Sequence, residues 1–124
     1  MSEKNKETIR KVNAAFAEGD TEKFLTFCAE NVKWTMVGDK TVEGKDAIRK
    51  WMAAMPSEAP LFTVDNVIAE GDFVTAYGDM AMTEKDGTAG SYSYCDVYRF
   101  RGDKIAELNA FVIKTEPKFE TSGA

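Results

Sequence analysis

Residues 91–113 read SYSYCDVYRFRGDKIAELNAFVI, and this stretch decides the fold of the chain. It contains two runs rich in aromatic and β-branched residues joined by a Gly-Asp turn, which is the composition of a β-hairpin. Successive side chains of a strand point to opposite faces, so Asp96 shares a face with Tyr94 and Tyr98. A carboxylate on an aromatic face either takes part in the protein's chemistry or is a buried charge that lowers stability. The first question about function is which of the two Asp96 is.

Two further extended runs come directly before this hairpin. They lie at residues 61–70 and 73–83 and are separated by a second Gly-Asp turn, while the sequence EKDGTAG joins them to the hairpin. Four consecutive strands with tight turns predict an antiparallel meander.

The N-terminal part has a different period. Its apolar residues recur at helical spacing in three segments, and a short alternating run with Trp34 at its centre separates the second segment from the third. Helices are expected at residues 3–18, 20–30 and 45–55, and the short strand at 32–36. Three helices covering one face of an antiparallel sheet give an α+β fold. We expect a single domain over residues 1–124, with residues 116–124 as a frayed tail.

The composition excludes several classes of function. The net charge is −5 and the basic residues are interspersed with acidic ones, which argues against a nucleic-acid partner. No apolar run is long enough to cross a membrane and the N-terminus has no signal-peptide pattern, so the sequence predicts a cytoplasmic protein without a membrane partner.

Histidine is absent from the chain. This excludes catalytic triads and dyads that use a histidine base, and it removes the usual zinc sites. Acid-base chemistry must then fall to Asp, Glu, Lys, Tyr or Cys, and we expect no metal and no cofactor. The two cysteines, Cys28 and Cys95, are interpreted as small buried thiols.

Short motifs along the chain carry a family resemblance. They are AEGD at 17–20, WTM at 34–36, VEGKDAI at 42–48 and DVYRFRGDKI at 96–105. Over about residues 5–115 the chain resembles the NTF2-like superfamily, in its SnoaL-like and ketosteroid-isomerase-like branch. The resemblance implies a cystatin-like cone in which three N-terminal helices pack on a curved sheet around an apolar pocket. It also implies a homodimer formed through the outer face of the sheet, and Phe111 on that face favours the same interpretation.

The ketosteroid isomerases suggest a role for Asp96. In a matching D-x-x-R-F context they hold a protonated aspartic acid in the oxyanion hole. Their oxyanion-hole tyrosine aligns near Val12 and their general-base aspartate at Thr35 or Met36, so both of those groups are missing here.

The limonene epoxide hydrolases, another branch, activate water with one arginine and two aspartates. Asp79 matches one of these aspartates, whereas Tyr77 occupies the arginine position and Ile113 lies near the second aspartate position. The chain therefore lacks part of the catalytic residue set of each of these two branches.

Alternating strand residues converge on one predicted interior. The predicted catalytic residues are Asp96 as acid or oxyanion donor, with Tyr94, Asp79 and Tyr77 in support. If Asp79 also faces inward, its carboxylate could couple with that of Asp96 and supply both acid and base. Alternatively, a slipped register or a bulge at Gly78 turns Asp79 to solvent, and Asp96 only forms a hydrogen bond with a tyrosine hydroxyl. The expected substrate contacts are Phe16, Trp34, Met36, Trp51, Met55, Leu108, Ala110 and Val112.

Three functional interpretations follow from this pattern. The first is an enzyme of isomerase or cyclase type that binds an apolar small molecule and catalyses proton transfer, isomerisation or cyclisation. The second is a non-catalytic ligand-binding or dimerisation module. The third is a protein-interaction domain that uses the outer face of the sheet.

Overall fold

Three helices from the N-terminal half of the chain cover one face of a sheet, and the first two strands lie between the second helix and the third. The structure is a computed structural model, and it describes residues 2–54, 61–83, 87 and 89–115. The helices in this part of the chain are α1 (Ser2–Glu18), α2 (Thr21–Thr26) and α3 (Lys45–Ala53). The strands are β1 (Cys28–Met36), β2 (Thr41–Glu43), β3 (Leu61–Phe62), β4 (Asn66–Glu70), β5 (Phe73–Thr83), β6 (Ala89–Arg101) and β7 (Lys104–Lys114). None of the described helices is long and apolar enough to cross a membrane.

The strands form one sheet in the order β2-β1-β7-β6-β5-β3, and β4 also pairs with β5. The meander of β4 to β7 is antiparallel throughout, as the turns predict. β1 instead runs parallel to β7, with Trp34 opposite Leu108. Helices on one face of a curved, mostly antiparallel sheet confirm the predicted α+β cone.

The predicted strand at residues 61–70 is interrupted. The segment 63–65 divides it into β3 and β4, which both pair with β5. The interruption stays anchored, because the amides of Thr63 and Asp65 donate to the carbonyl oxygens of Asp79 and Tyr77 at 2.9 and 2.8 Å.

The second helix is shorter than predicted. Asp20 caps it by accepting a hydrogen bond from the Lys23 amide at 3.1 Å, but the helix ends at Thr26 rather than near residue 30. Cys28 already belongs to β1, where it pairs with Ile105. Long-range strand pairing therefore overrides the helical spacing of the apolar residues in this segment. Met55 and the residues predicted as a frayed tail, 116–124, lie outside the described residues.

The core fills the space between the helices and the inner face of the sheet. Its α1 residues, Ile9, Val12 and Ala15, are fully buried. Burial of a large aliphatic side chain contributes about 1.5–3 kcal/mol. From α2, α3 and the sheet the core includes Phe24, Leu25, Ile48, Val32, Val74, Phe100, Ile105 and Leu108. This packing fixes which face of the sheet is the interior.

Candidate functional site

Asp96 lies on the inner face of the sheet between two small side chains. It stands opposite Ala76 of β5 and Ala110 of β7, and directly opposed strand residues share a face. Both alanines are buried, whereas Asp96 is half-buried. Because both alanines belong to the buried core, the side chain of Asp96 also points to the interior of the cone.

Burial changes the acidity of Asp96. Removal of the carboxyl group from water raises its pKa from the ordinary 3.8 to about 7, because desolvation penalises the charged form. Near neutral pH, comparable amounts of the acid and the carboxylate are therefore present. Such a group can donate or accept a proton with little energetic bias, which suits a general acid or base.

Tyr94 faces the same interior, but its hydroxyl group is already engaged. The hydroxyl donates a 2.6 Å hydrogen bond to the carbonyl oxygen of Thr63. Thr63 approaches closely because Gly78, opposite Tyr94, has no side chain: an added Cβ would lie 2.2 Å from that same oxygen. Burial, together with the charge of Asp96, raises the pKa of Tyr94 to about 12. This hydrogen bond links β6 to the 63–65 segment. It also uses the only hydroxyl proton of Tyr94, so that proton is not available to a ligand.

Tyr77 and Asp79 lie on the other face of the sheet. The regular β5–β6 register places Tyr77 opposite Cys95 and Asp79 opposite Ser93, whereas Asp96 pairs with Ala76. The Tyr77 hydroxyl accepts from Asn66 Nδ2 at 2.8 Å, and an Asp79 carboxylate oxygen accepts from Ser93 Oγ at 2.9 Å. The expectation that Tyr77 and Asp79 face the interior is therefore wrong.

This placement also answers the question about the two carboxylates. The register puts Asp79 and Asp96 on opposite faces of the sheet, so they do not form a coupled pair inside the cone. Asp79 reaches the outer face through the normal alternation of β5, without a bulge at Gly78.

The predicted aromatic contacts are inside the cone. The ring of Trp34 is 6.0 Å from that of Phe16, 5.6 Å from that of Phe24 and 5.0 Å from that of Trp51, measured between centroids. Its edge-to-face contact with Trp51 fills this side of the interior. The inner face also carries the other described residues predicted as contacts, Met36, Leu108, Ala110 and Val112. Whether any of them touches a ligand remains a prediction.

Three buried polar atoms in the described part of the chain have no hydrogen-bond partner. They are Asn13 Nδ2, Trp34 Nε1 and the hydroxyl oxygen of Tyr98. Leaving such a group unsatisfied costs about 1–3 kcal/mol. Sequence reasoning placed Tyr98 on the inner face without assigning it a role, although its position two residues after Asp96 was a signal that could have identified it.

The outer face of the sheet carries exposed apolar side chains. Ile68, Phe111 and Ile113 are 55%, 42% and 66% exposed. Phe111 stands opposite Cys95, which in turn stands opposite the exposed Tyr77, so apolar groups adjoin across three strands. We call Ile68, Tyr77, Cys95, Phe111 and Ile113 the outer patch. Exposed apolar side chains grouped on one face of a sheet are typical of an interaction surface.

A sheet covered by three helices from the N-terminal half, with the Asp96 carboxyl group on the enclosed side, is the architecture of an NTF2-like α+β domain. Solved structures share this fold. An NTF2-like protein of unknown function from Burkholderia pseudomallei is 21% identical with a TM-score of 0.81, and the match covers 98% of this chain and 95% of that one. The epoxide hydrolase/cyclase-like enzyme SalBIII, which has a role in pyran ring formation in salinomycin, is 21% identical with a TM-score of 0.79, over 89% of this chain and 91% of that one.

TerC, co-crystallised with polyporic acid, is 19% identical with a TM-score of 0.77, over 97% of this chain and 96% of that one. Comparison with curated proteins finds no significant match in sequence. The chain belongs to the SnoaL-like domain family, whose profile matches residues 9–108.

Proposed function

We propose that this protein binds an apolar small molecule inside the cone and that Asp96 exchanges a proton with it. The observation that carries the proposal is the half-buried carboxyl group of Asp96 between Ala76 and Ala110, with its pKa raised to about 7 by burial. The reaction would be a proton transfer, an isomerisation or a cyclisation.

The chemistry of one carboxyl group sets the form of the reaction. As the carboxylate, Asp96 would take a proton from a carbon next to a carbonyl group and return it to the same carbon or to another one. Return to another carbon completes an isomerisation and restores the carboxylate. As the neutral acid, Asp96 would donate to an oxygen that gains charge during ring closure.

The similar structures support a small-molecule function without defining it. SalBIII has a role in pyran ring formation, and TerC was crystallised with polyporic acid. We extend to this chain only the general property of a function that involves an organic molecule, and the position of that molecule inside the cone is part of our proposal. The contacts predicted for that molecule are Phe16, Trp34, Met36, Trp51, Met55, Leu108, Ala110 and Val112, in addition to Asp96.

A non-catalytic ligand-binding protein is the second candidate. It is favoured by the position of Asp79 on the opposite face and by the hydrogen bond that Tyr94 already makes to Thr63. Without a second acid-base group from these residues, Asp96 would serve only as a hydrogen-bond partner of the ligand.

Hydrogen exchange at carbon separates the two candidates. α-Tetralone is a bicyclic ketone with exchangeable C–H bonds, and its incorporation of deuterium from D2O can be followed by NMR. We expect the wild-type protein to accelerate exchange, the Asp96→Asn variant to lose the acceleration, and Asp79→Asn, the same change on the outer face, to keep it. Binding without acceleration would favour the second candidate. Failure of apolar ketones and aromatic acids to shift the melting temperature or the NMR spectrum would contradict both.

We also propose that two copies of the chain pair through the outer patch. Because the patch is apolar and lies opposite the interior, a symmetric dimer would cover it without closing access to Asp96. Phe111→Glu should convert the dimer into a monomer in analytical ultracentrifugation, whereas Ala14→Glu, which adds the same charge to an exposed position of α1, should not. If the wild-type protein is still a monomer at about 100 µM, this assembly is refuted. A cytoplasmic location stays a prediction from the sequence.

A further inference from the structure

Lys114 is the last residue of β7 and lies on the inner face of the sheet. It follows Leu108, Ala110 and Val112 at alternate positions of the strand, and residues two apart in a strand share a face. Exposure rises along this series: Leu108 and Ala110 are buried, Val112 is half-buried and Lys114 is exposed. The inner face of β7 therefore runs from the closed end of the cone to its open end, where it carries an ammonium group.

The charge of Lys114 is unusual for its position. Among the described residues on the inner face of β5, β6 and β7, Asp96 and Lys114 are the only charged ones. Lys114 stands opposite Tyr92, which precedes Asp96 by four positions on the neighbouring strand. At the rise of a β-strand this separation is about 13 Å. One acid and one cation thus stand at the two ends of a single strip of the inner face.

The strip between these two charges is apolar. Tyr94 and Val112 stand opposite each other there, one residue pair away from each charged position. The Tyr94 hydroxyl is already used in a hydrogen bond, so the ring is the part of this side chain that a ligand can contact. Phe62 packs edge-on against that ring, with 6.2 Å between the centroids. Such a strip suits a hydrocarbon chain or an aryl group.

We propose that the ligand of the cone is an amphipathic organic anion, whose carboxylate binds Lys114 while its apolar part extends along Tyr94 and Val112 to Asp96. This inference rests on the proposed function and names the chemical class of the ligand. Lys114 already interacts within the protein, but its ammonium group has three N–H donors, so it can keep that contact and bind a carboxylate as well. The carbon that exchanges a proton with Asp96 would lie several bonds from the carboxylate.

The open end is the favourable place for the charge of the ligand. A carboxylate next to Asp96 would lose its hydration among apolar side chains, at a large cost in free energy. At the exposed Lys114 it keeps part of its water and gains an opposite charge. The separation of about 13 Å also exceeds the screening length of about 10 Å at 0.1 M ionic strength, so the bound anion would leave the ionisation of Asp96 almost unchanged.

A second cation, Lys40, is less well placed. Its carbonyl oxygen accepts from the Met36 amide at 2.8 Å, which puts it on the β2 side of the sheet, three strands from Asp96. Its ammonium group lies over the Trp51 ring, 5.7 Å from the centroid. Lys114, on the strand next to that of Asp96, is therefore the better partner for the carboxylate.

The test compares 6-oxo-6-phenylhexanoate with its methyl ester, which has the same aryl ketone without the charge. We expect wild-type protein to bind the acid about three- to tenfold more tightly by isothermal titration calorimetry, the range between an exposed ion pair and a charged hydrogen bond. Lys114→Gln should remove this preference and leave the affinity for the ester unchanged, whereas Lys114→Arg should preserve it. Lys11→Gln removes the same charge from an exposed position of α1, and Lys40→Gln removes the second cation; neither should change the preference.

Several results would overturn the inference and leave the proposed function in place. They are equal affinity of the acid and the ester for wild-type protein, a preference that survives Lys114→Gln, and a preference that disappears with Lys40→Gln. If Lys114→Gln weakens both probes equally, Lys114 has a structural role and the inference is also wrong. Deuterium exchange next to the ketone of the ester would in each case still report on Asp96. Binding of neither probe would count against both proposals.

Discussion

Replacement of Asp96 by asparagine should stabilise the protein, and the gain should grow with pH. In the folded protein the carboxyl group has a pKa of about 7, whereas in the unfolded chain it ionises near its ordinary 3.8. Between these values the folded state holds a proton that the unfolded state has released, so the wild-type free energy of unfolding falls as pH rises. Asparagine does not titrate and escapes this loss.

The size of the effect follows from the pKa. Between pH 5 and the folded pKa of about 7, each pH unit removes about 1.4 kcal/mol of wild-type stability, which gives a total near 3 kcal/mol. The advantage of Asp96→Asn over wild type should therefore be larger by about 3 kcal/mol at pH 8 than at pH 5. Any pH-independent effect of the substitution cancels in this difference.

Urea unfolding at the two pH values measures the quantity directly. Asp103→Asn, which removes the same charge from the exposed β6–β7 turn, is the matched control. If the stability difference between Asp96→Asn and wild type is the same at pH 5 and pH 8, the folded protein does not hold Asp96 as a neutral acid near pH 7. Asp96 would then lack the near-neutral pKa on which its proposed role in proton transfer depends.

Three further outcomes test the surroundings of the site. Gly78→Ala should lower the free energy of unfolding by about 1–3 kcal/mol, because the new methyl group meets the Thr63 carbonyl oxygen; urea unfolding with an unchanged midpoint would contradict this contact. Tyr94→Phe should cost about 1–3 kcal/mol in the same assay by leaving that oxygen without its side-chain donor, and a neutral effect would show that the hydrogen bond contributes nothing. In the Phe111→Glu variant, whose outer patch should be uncovered, iodoacetamide at pH 8 should leave Cys28 unmodified, because burial raises the pKa of its thiol to about 12. The half-buried Cys95 should react slowly, and mass spectrometry showing faster modification of Cys28 would refute the order.

Much of the fold could be predicted because local patterns and long-range pairing agree in the C-terminal half. The Gly-Asp turns at 71–72 and 102–103 mark the ends of long alternating runs, and the strands begin and end there. The N-terminal half agrees less well. Phe27 and Cys28 continue a helical spacing, yet pairing with β7 makes Cys28 part of a strand, and no local signal in that segment reports a partner so distant in sequence.

The faces on which the candidate residues lie were predicted correctly only where alternation within one strand decides them. Alternation within β6 is enough to put Tyr94, Asp96 and Tyr98 on one face. Placing Tyr77 and Asp79 relative to them depends on the register between β5 and β6, and a shift of one residue exchanges the two faces. The turn residues between these strands are compatible with more than one loop length, so the sequence does not fix the register. The repeated Tyr-x-Asp pattern suggested that Asp79 and Asp96 share the interior, and the actual register excludes this.

The parallel pairing of β1 with β7 has a consequence for synthesis. β1 is the first strand of the chain and β7 the last. During synthesis, β1 therefore cannot pair with β7 until β7 has emerged from the ribosome. Until then the edge of β1 that will face β7 has unpaired amide and carbonyl groups, and its Val32 and Trp34 lack their covering. Docking of the first strand onto the last would therefore be the late step of folding. Any shortening of the chain that removes β7 should leave an aggregation-prone fragment rather than a smaller stable domain.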